Sequence, residues 1–220
     1  MAKNQNRIDQ LLLAAQVMTE NALADEVIKT ALAGFGYSEE KLNAGKKLYE
    51  EAVALQNAQK KEYGDQVAAT AELNDIWDQA HQQYIRTLKI ARIAFNKNIK
   101  ADKATMLFGR RKESLSGWLE QARAFYANLL GDTAFLTAMA EYGYTTEKLQ
   151  EESTLIDQVI AKHLQQRKEM GEAQEATETR DNALDKLAQW ISDLRAVAKV
   201  ALEDNPQQLE KLGILARTKA

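Results

Sequence analysis

The sequence predicts an all-α fold. The chain reads as an elongated helical bundle or antiparallel coiled coil built from two tandem copies, each with one or two short helices followed by a very long helix. Three observations carry this. First, an apolar residue tends to return every seven positions from Leu42 through Tyr49, Tyr63, Trp77 and Tyr84 to Ala91, and again from Leu149 through Ile156, Met170, Leu184 and Ile191 to Ala198. A repeat of seven held that long lays one seam along one side of a helix. Second, Gly143 follows Gly36 by 107 residues, and the same shift superposes most of the two halves of the sequence. Third, the 220 residues contain one proline, and no stretch alternates apolar and polar residues long enough for a strand.

Taken in order, the first copy covers 7–95 and opens with a helix over 7–22, with Ile8, Leu11, Leu12, Ala15 and Met18 on one face. A break is expected between Asn21 and Asp25, and a short helix follows to about residue 34. Gly36 suits a left-handed helix end. Tyr37 can cover that end, and Ser38 caps the long helix, whose first residues, Glu39 and Glu40, suit its positive end. The second copy, 114–202, repeats the plan. Gly131 acts as a stop, Asp132 as an N-cap, Gly143 as the helix end and Thr145 as the cap of the second long helix. Between the copies lies a basic linker, 96–113, and after the second a tail, 203–220. Each carries a short helix closed by glycine, docked by Leu107 and Phe108 in one case and by Leu212 and Ile214 in the other.

The middle of each seam is polar. Gln56, Gln59 and Thr70, then His163, Gln166 and Thr177, stand where apolar residues are expected, and Gly64 and Gly171 lie among them. Two readings stay open. Either each long helix is continuous and its polar layers fix register, or each glycine is a helix end at a tight turn.

The Phe35-Gly36-Tyr37 turn, Gly117-Trp118-Leu119 and the late Leu209-Glu210-Lys211-Leu212-Gly213-Ile214 resemble an uncharacterised group of bacterial all-helical proteins. That resemblance implies a bacterial, cytoplasmic setting and no activity.

Chemistry has few footholds. Cysteine is absent, which removes thiolate catalysis and cysteine-ligated metal sites. Asp78 and His81 have the spacing of a bundle metal motif, but the position matching His81 is Ala188, so no second ligand set exists. His163 reads as a satisfied polar group of the seam. No Gly-rich phosphate loop or nucleophile motif is present. The expectation is a protein with no cofactor, no metal and no catalytic residues.

One feature stands above background. Arg86, Lys89, Arg92, Lys97, Lys100, Lys103, Arg110, Arg111 and Lys112 are interrupted by a single acid, Asp102, in a chain whose net charge is −3. Such clustering can hold a phosphate or an acidic partner, although cations near a helix C-terminus also complement its dipole. The expected function is a non-enzymatic structural or protein-interaction bundle, the partner being a protein, self or other. The alternative is a module that binds a ligand, an anion or nucleic acid through residues 86–112. No apolar run reaches the roughly 20 residues a membrane helix needs, so a cytoplasmic location is expected.

Overall fold

The computed structural model describes residues 2–215; the side chains of residues 2–4 are not described. Among these residues there are eight helices and no strand. They are α1 (Ala2–Ala24), α2 (Glu26–Ala33), α3 (Glu39–Ala94), α4 (Ile99–Thr105), α5 (Leu115–Leu130), α6 (Thr133–Ala140), α7 (Thr146–Ala201) and α8 (Pro206–Lys211). The bounds of α2 and α3 recur 107 residues later in α6 and α7.

The local chemistry explains the boundaries. Asp25 accepts hydrogen bonds from the amides of Val27 and Ile28, and Asp132 accepts from Ala134 and Phe135. Each carboxylate satisfies two of the orphan donors at a helix start. Gly36 and Gly143 take left-handed backbones, with φ of 80° and 76°. The amides of Tyr37 and Tyr144 then reach back to the carbonyls of Leu32 and Met139, the closure expected of a helix end of this type. Lys41 and Lys148 lie over the Tyr37 and Tyr144 rings at 3.7 and 3.6 Å.

Both long helices are continuous. Gly64 and Gly171 are helical, and a Cβ on either would meet no atom within 4 Å. The heptad phase therefore prevails over the local cost of glycine, about 1 kcal/mol against alanine.

The chain packs as two units. Among the described residues, unit 1 comprises 2–64 and 171–215, and unit 2 comprises 65–170. These divisions cross the sequence copies: each unit takes the early helices of one copy and the late helices of the other. In unit 1, Met18 and Ala22 of α1, Ile28 and Leu32 of α2 and Leu42 of α3 form a core with Leu187, Ile191 and Leu194 of α7. In unit 2, Phe125 and Leu129 of α5, Phe135 of α6 and Leu149 of α7 pack with Tyr84, Leu88 and Phe95 of α3. Within each unit the two long helices run antiparallel. Arg180 donates to Gln59 in unit 1, while in unit 2 Gln166 donates to Thr70 and Lys162 pairs with Glu72 at 2.7 Å.

Three details differ from the sequence expectation. Tyr63 and Met170, both seam residues, are exposed. In unit 1 the helix that covers the seam, α1, meets α3 at Gln56 through Gln5, two turns short of Tyr63. His163 is not a satisfied seam group: it is half-buried, and its Nδ1 has no hydrogen-bond partner among the described residues. Phe108 does not dock the linker. Leu107 is buried, whereas Phe108 is 63% exposed, because Met106 and Gly109 both turn left-handed and carry the ring outward.

Candidate interaction surface

The basic stretch lies wholly in unit 2, and the structure divides its nine cations into three environments. Two are structural. Arg111 donates through Nη1 to the Tyr84 hydroxyl at 2.8 Å and through Nη2 to the carbonyls of Met106, Phe108 and Gly109. Arg92 donates through Nε to the Leu107 carbonyl at 2.7 Å, and its guanidinium stands 5.5 Å from the centre of the Phe108 ring. A planar fork of donors suits this work, and a lysine could not replace it. Gln121 completes the brace, accepting from the Lys112 amide and donating to the Arg110 carbonyl. The loop after α4 is thus tied to α3 and α5.

Three more cations pair with acids: Lys100 with Asp132 at 2.7 Å, Arg110 with Glu113, and Lys112 with Glu120. The hydrogen bond from Lys100 is the main reason the Asp132 carboxyl is held below its ordinary value. Unit 1 makes the same economy, with Lys211 beside Asp25.

The remaining four, Arg86, Lys89, Lys97 and Lys103, are exposed and form no ion pair among the described residues. Lys97 sits in the turn between α3 and α4 with a left-handed backbone, φ 65°. Beside it Ile99 is 77% exposed, and Ile99, Lys97 and Phe108 line one shallow depression with Arg92 and the buried Phe95. The stretch is therefore a corner with two apolar residues at its tip and unneutralised lysines around it. The sequence shows the cations, but it suggests an inward Phe108 and gives Ile99 no distinction. Adjacent apolar residues after a helix carry no periodicity that tells inside from outside.

A second arrangement in unit 2 was also not read from the sequence. Glu152 of α7 is buried, and its Oε2 accepts from Thr87 Oγ1 at 2.5 Å and Tyr126 OH at 3.0 Å. Burial, and then the Glu152 carboxylate, push the Tyr126 phenol far above its ordinary value. The signal was available: Glu152 follows Leu149 by three residues and precedes Ile156 by four, which places it on the apolar stripe. Among the described residues the arrangement has no cation partner, and it serves as a polar layer of the core.

Among the described residues no helix is long and apolar enough to cross a membrane. No family model, no curated protein and no solved structure matches the chain, so its own geometry is what bears on its role.

Proposed function

We propose that the chain is a non-catalytic protein-interaction bundle, and that it takes an acidic, apolar-tipped segment of a protein on the corner where α3 meets α4. The observation that carries this reading is the exposure of Ile99 and Phe108 beside Lys97 and Lys103. Isolated exposed hydrophobes are ordinary, but an apolar tip rimmed by charge is the usual anatomy of a contact surface. The Phe108 ring is held by Arg92 and by the braced loop behind it, so little side-chain order is lost on binding.

Magnitudes set the expected strength. Burying a phenylalanine and an isoleucine contributes about 2 kcal/mol each. Association costs on the order of 4–15 kcal/mol in lost rigid-body freedom. The lysines add modest attraction that salt screens beyond about 10 Å. The contact is therefore weak, reversible and salt-sensitive.

The apolar tip favours protein over nucleic acid, since phosphate binding draws on cations and gains nothing from an exposed isoleucine. The test is a titration of the isotope-labelled chain with a synthetic helical peptide bearing a leucine face and a glutamate face, followed by amide chemical shifts. Shifts concentrated on residues 92–108, and reduced by added salt or by Phe108→Ser, support the reading. Shifts spread elsewhere, or none, overturn it. A duplex oligonucleotide that shifts 86–112 more strongly, with a steep salt slope, would replace it with the anion-binding alternative.

A further inference from the structure

We infer that the partner is a second copy of this chain, which offers the corner where α7 meets α8 to the corner where α3 meets α4. This inference rests on the reading just given. Lys97 lies three residues beyond the end of α3, and Asp204 lies three beyond the end of α7. Lys103 lies in α4, and Glu210 holds the matching place in α8, again 107 residues later. All four side chains are exposed. At matching positions of two similarly built corners, the charge is reversed.

Half of the apolar tip is kept: Phe108 corresponds to Leu215, which is 94% exposed, whereas Ile99 corresponds to Pro206. Behind the tip, Ile93 and its counterpart Val200 are exposed by 56% and 58%. Asn96, next to Lys97, corresponds to a further acid, Glu203. The acidic corner thus has the chemistry the basic corner requires: exposed aliphatic side chains rimmed by carboxylates that form no ion pair among the described residues. Two cations lie nearby: Lys211, next to Glu210 in α8, pairs with Asp25 at 2.7 Å, and Lys199 on α7 is exposed.

Charge also decides the mode of pairing. Two basic corners facing each other would set Lys97 and Lys103 against like charges, and two acidic corners would do the same with Asp204 and Glu210. Basic against acidic is the attractive combination. Two copies can make it once, which leaves one corner of each kind for further growth, or twice about a two-fold axis, which closes a dimer.

The experiment is a charge exchange read by sedimentation velocity across a wide concentration range at low and high salt. One variant carries Lys97→Asp with Lys103→Glu, so both of its corners are acidic. The other carries Asp204→Lys with Glu210→Lys, so both are basic. All four sites are exposed, and circular dichroism checks that the folds are intact. The expected result is that the wild type associates increasingly with concentration, and that high salt weakens this on the order of tenfold. Each variant alone stays monomeric, and their equimolar mixture associates again. A wild type that is monomeric throughout, a variant that associates alone as well as the wild type, or a mixture that stays monomeric while the wild type associates would each overturn the inference. If the wild type is monomeric and the leucine–glutamate peptide still shifts 92–108, the second copy is excluded and the interaction reading stands. If neither occurs, both fall.

Discussion

Unit 1 and unit 2 fill the same place between their long helices in opposite ways. In unit 2 that place holds Glu152, with Thr87 and Tyr126 donating to it. The residues 107 positions away in unit 1 are Gly45, Leu194 and Thr19. There the Trp190 ring lies against α3 so closely that a Cβ on Gly45 would stand 2.0 Å from it, and Trp190 meets the Tyr37 ring edge-on at 6.0 Å. Thr19 turns its hydroxyl to the Ala15 carbonyl of its own helix. One unit thus uses a large ring and a missing side chain. The other uses a carboxylate and two hydroxyls. A shared helical plan tolerates either, provided that volume is filled and buried polar groups are paired.

The largest effect should come from breaking the polar version. Glu152→Leu leaves the Thr87 and Tyr126 hydroxyls buried without their acceptor and should destabilise by about 3 kcal/mol. Fluorotryptophan resonances separate the units during urea unfolding, since Trp77 and Trp118 lie in unit 2 and Trp190 in unit 1. The loss should register first at Trp77 and Trp118. A neutral or stabilising outcome would mean that the carboxylate costs more in desolvation than its hydrogen bonds return.

Gly45→Ala attacks the apolar version. The Trp190 ring must shift away from α3, at a cost of about 2 kcal/mol, registered first at Trp190. If the midpoint does not move, the ring has room that the close approach denies.

Tyr126→Phe is milder, at about 1.5 kcal/mol for one hydrogen bond to a carboxylate. It also carries a pH signature. The folded-state pKa of Tyr126 is raised, so its contribution is complete below the ordinary tyrosine value near 10 and is lost as pH rises above it. Wild-type stability should fall with alkaline pH more steeply than that of the variant. Parallel falls would place the alkaline loss elsewhere.

The smallest effects belong to the boundary between the units. Gly64→Ala and Gly171→Ala meet no obstruction and should each raise stability by about 0.8 kcal/mol through helix propensity. A loss at either would show that the position needs glycine for a reason its helical geometry does not reveal.

Much of this plan is legible in the residues. The heptads that run from Leu42 and Leu149 mark two continuous helices, and Asp132, Gly36 and Gly143 mark caps that act as caps. What the sequence does not carry is which segments meet. Similarity between Asn21 and Asn128 groups them by copy, yet Asn21 donates to the Lys211 carbonyl in the tail helix α8 and Asn128 to the Ala104 carbonyl in the linker helix α4, each at 2.6 Å. Periodicity fixes which face of a helix is apolar, and that face fits either copy equally well. The candidate surface was half legible for a related reason. Charge shows in a list of residues, so the cations from Arg86 to Lys112 stand out. The outward turn of Phe108 depends on the left-handed backbone at Met106, a residue type that does not announce it.

The most direct test of the two-corner account is hydrogen–deuterium exchange at low and high protein concentration in low salt. The account predicts that exchange slows with concentration at both 96–108 and 203–215, and that high salt reverses the change at both together. Slowing at one corner alone, or at neither, would contradict it.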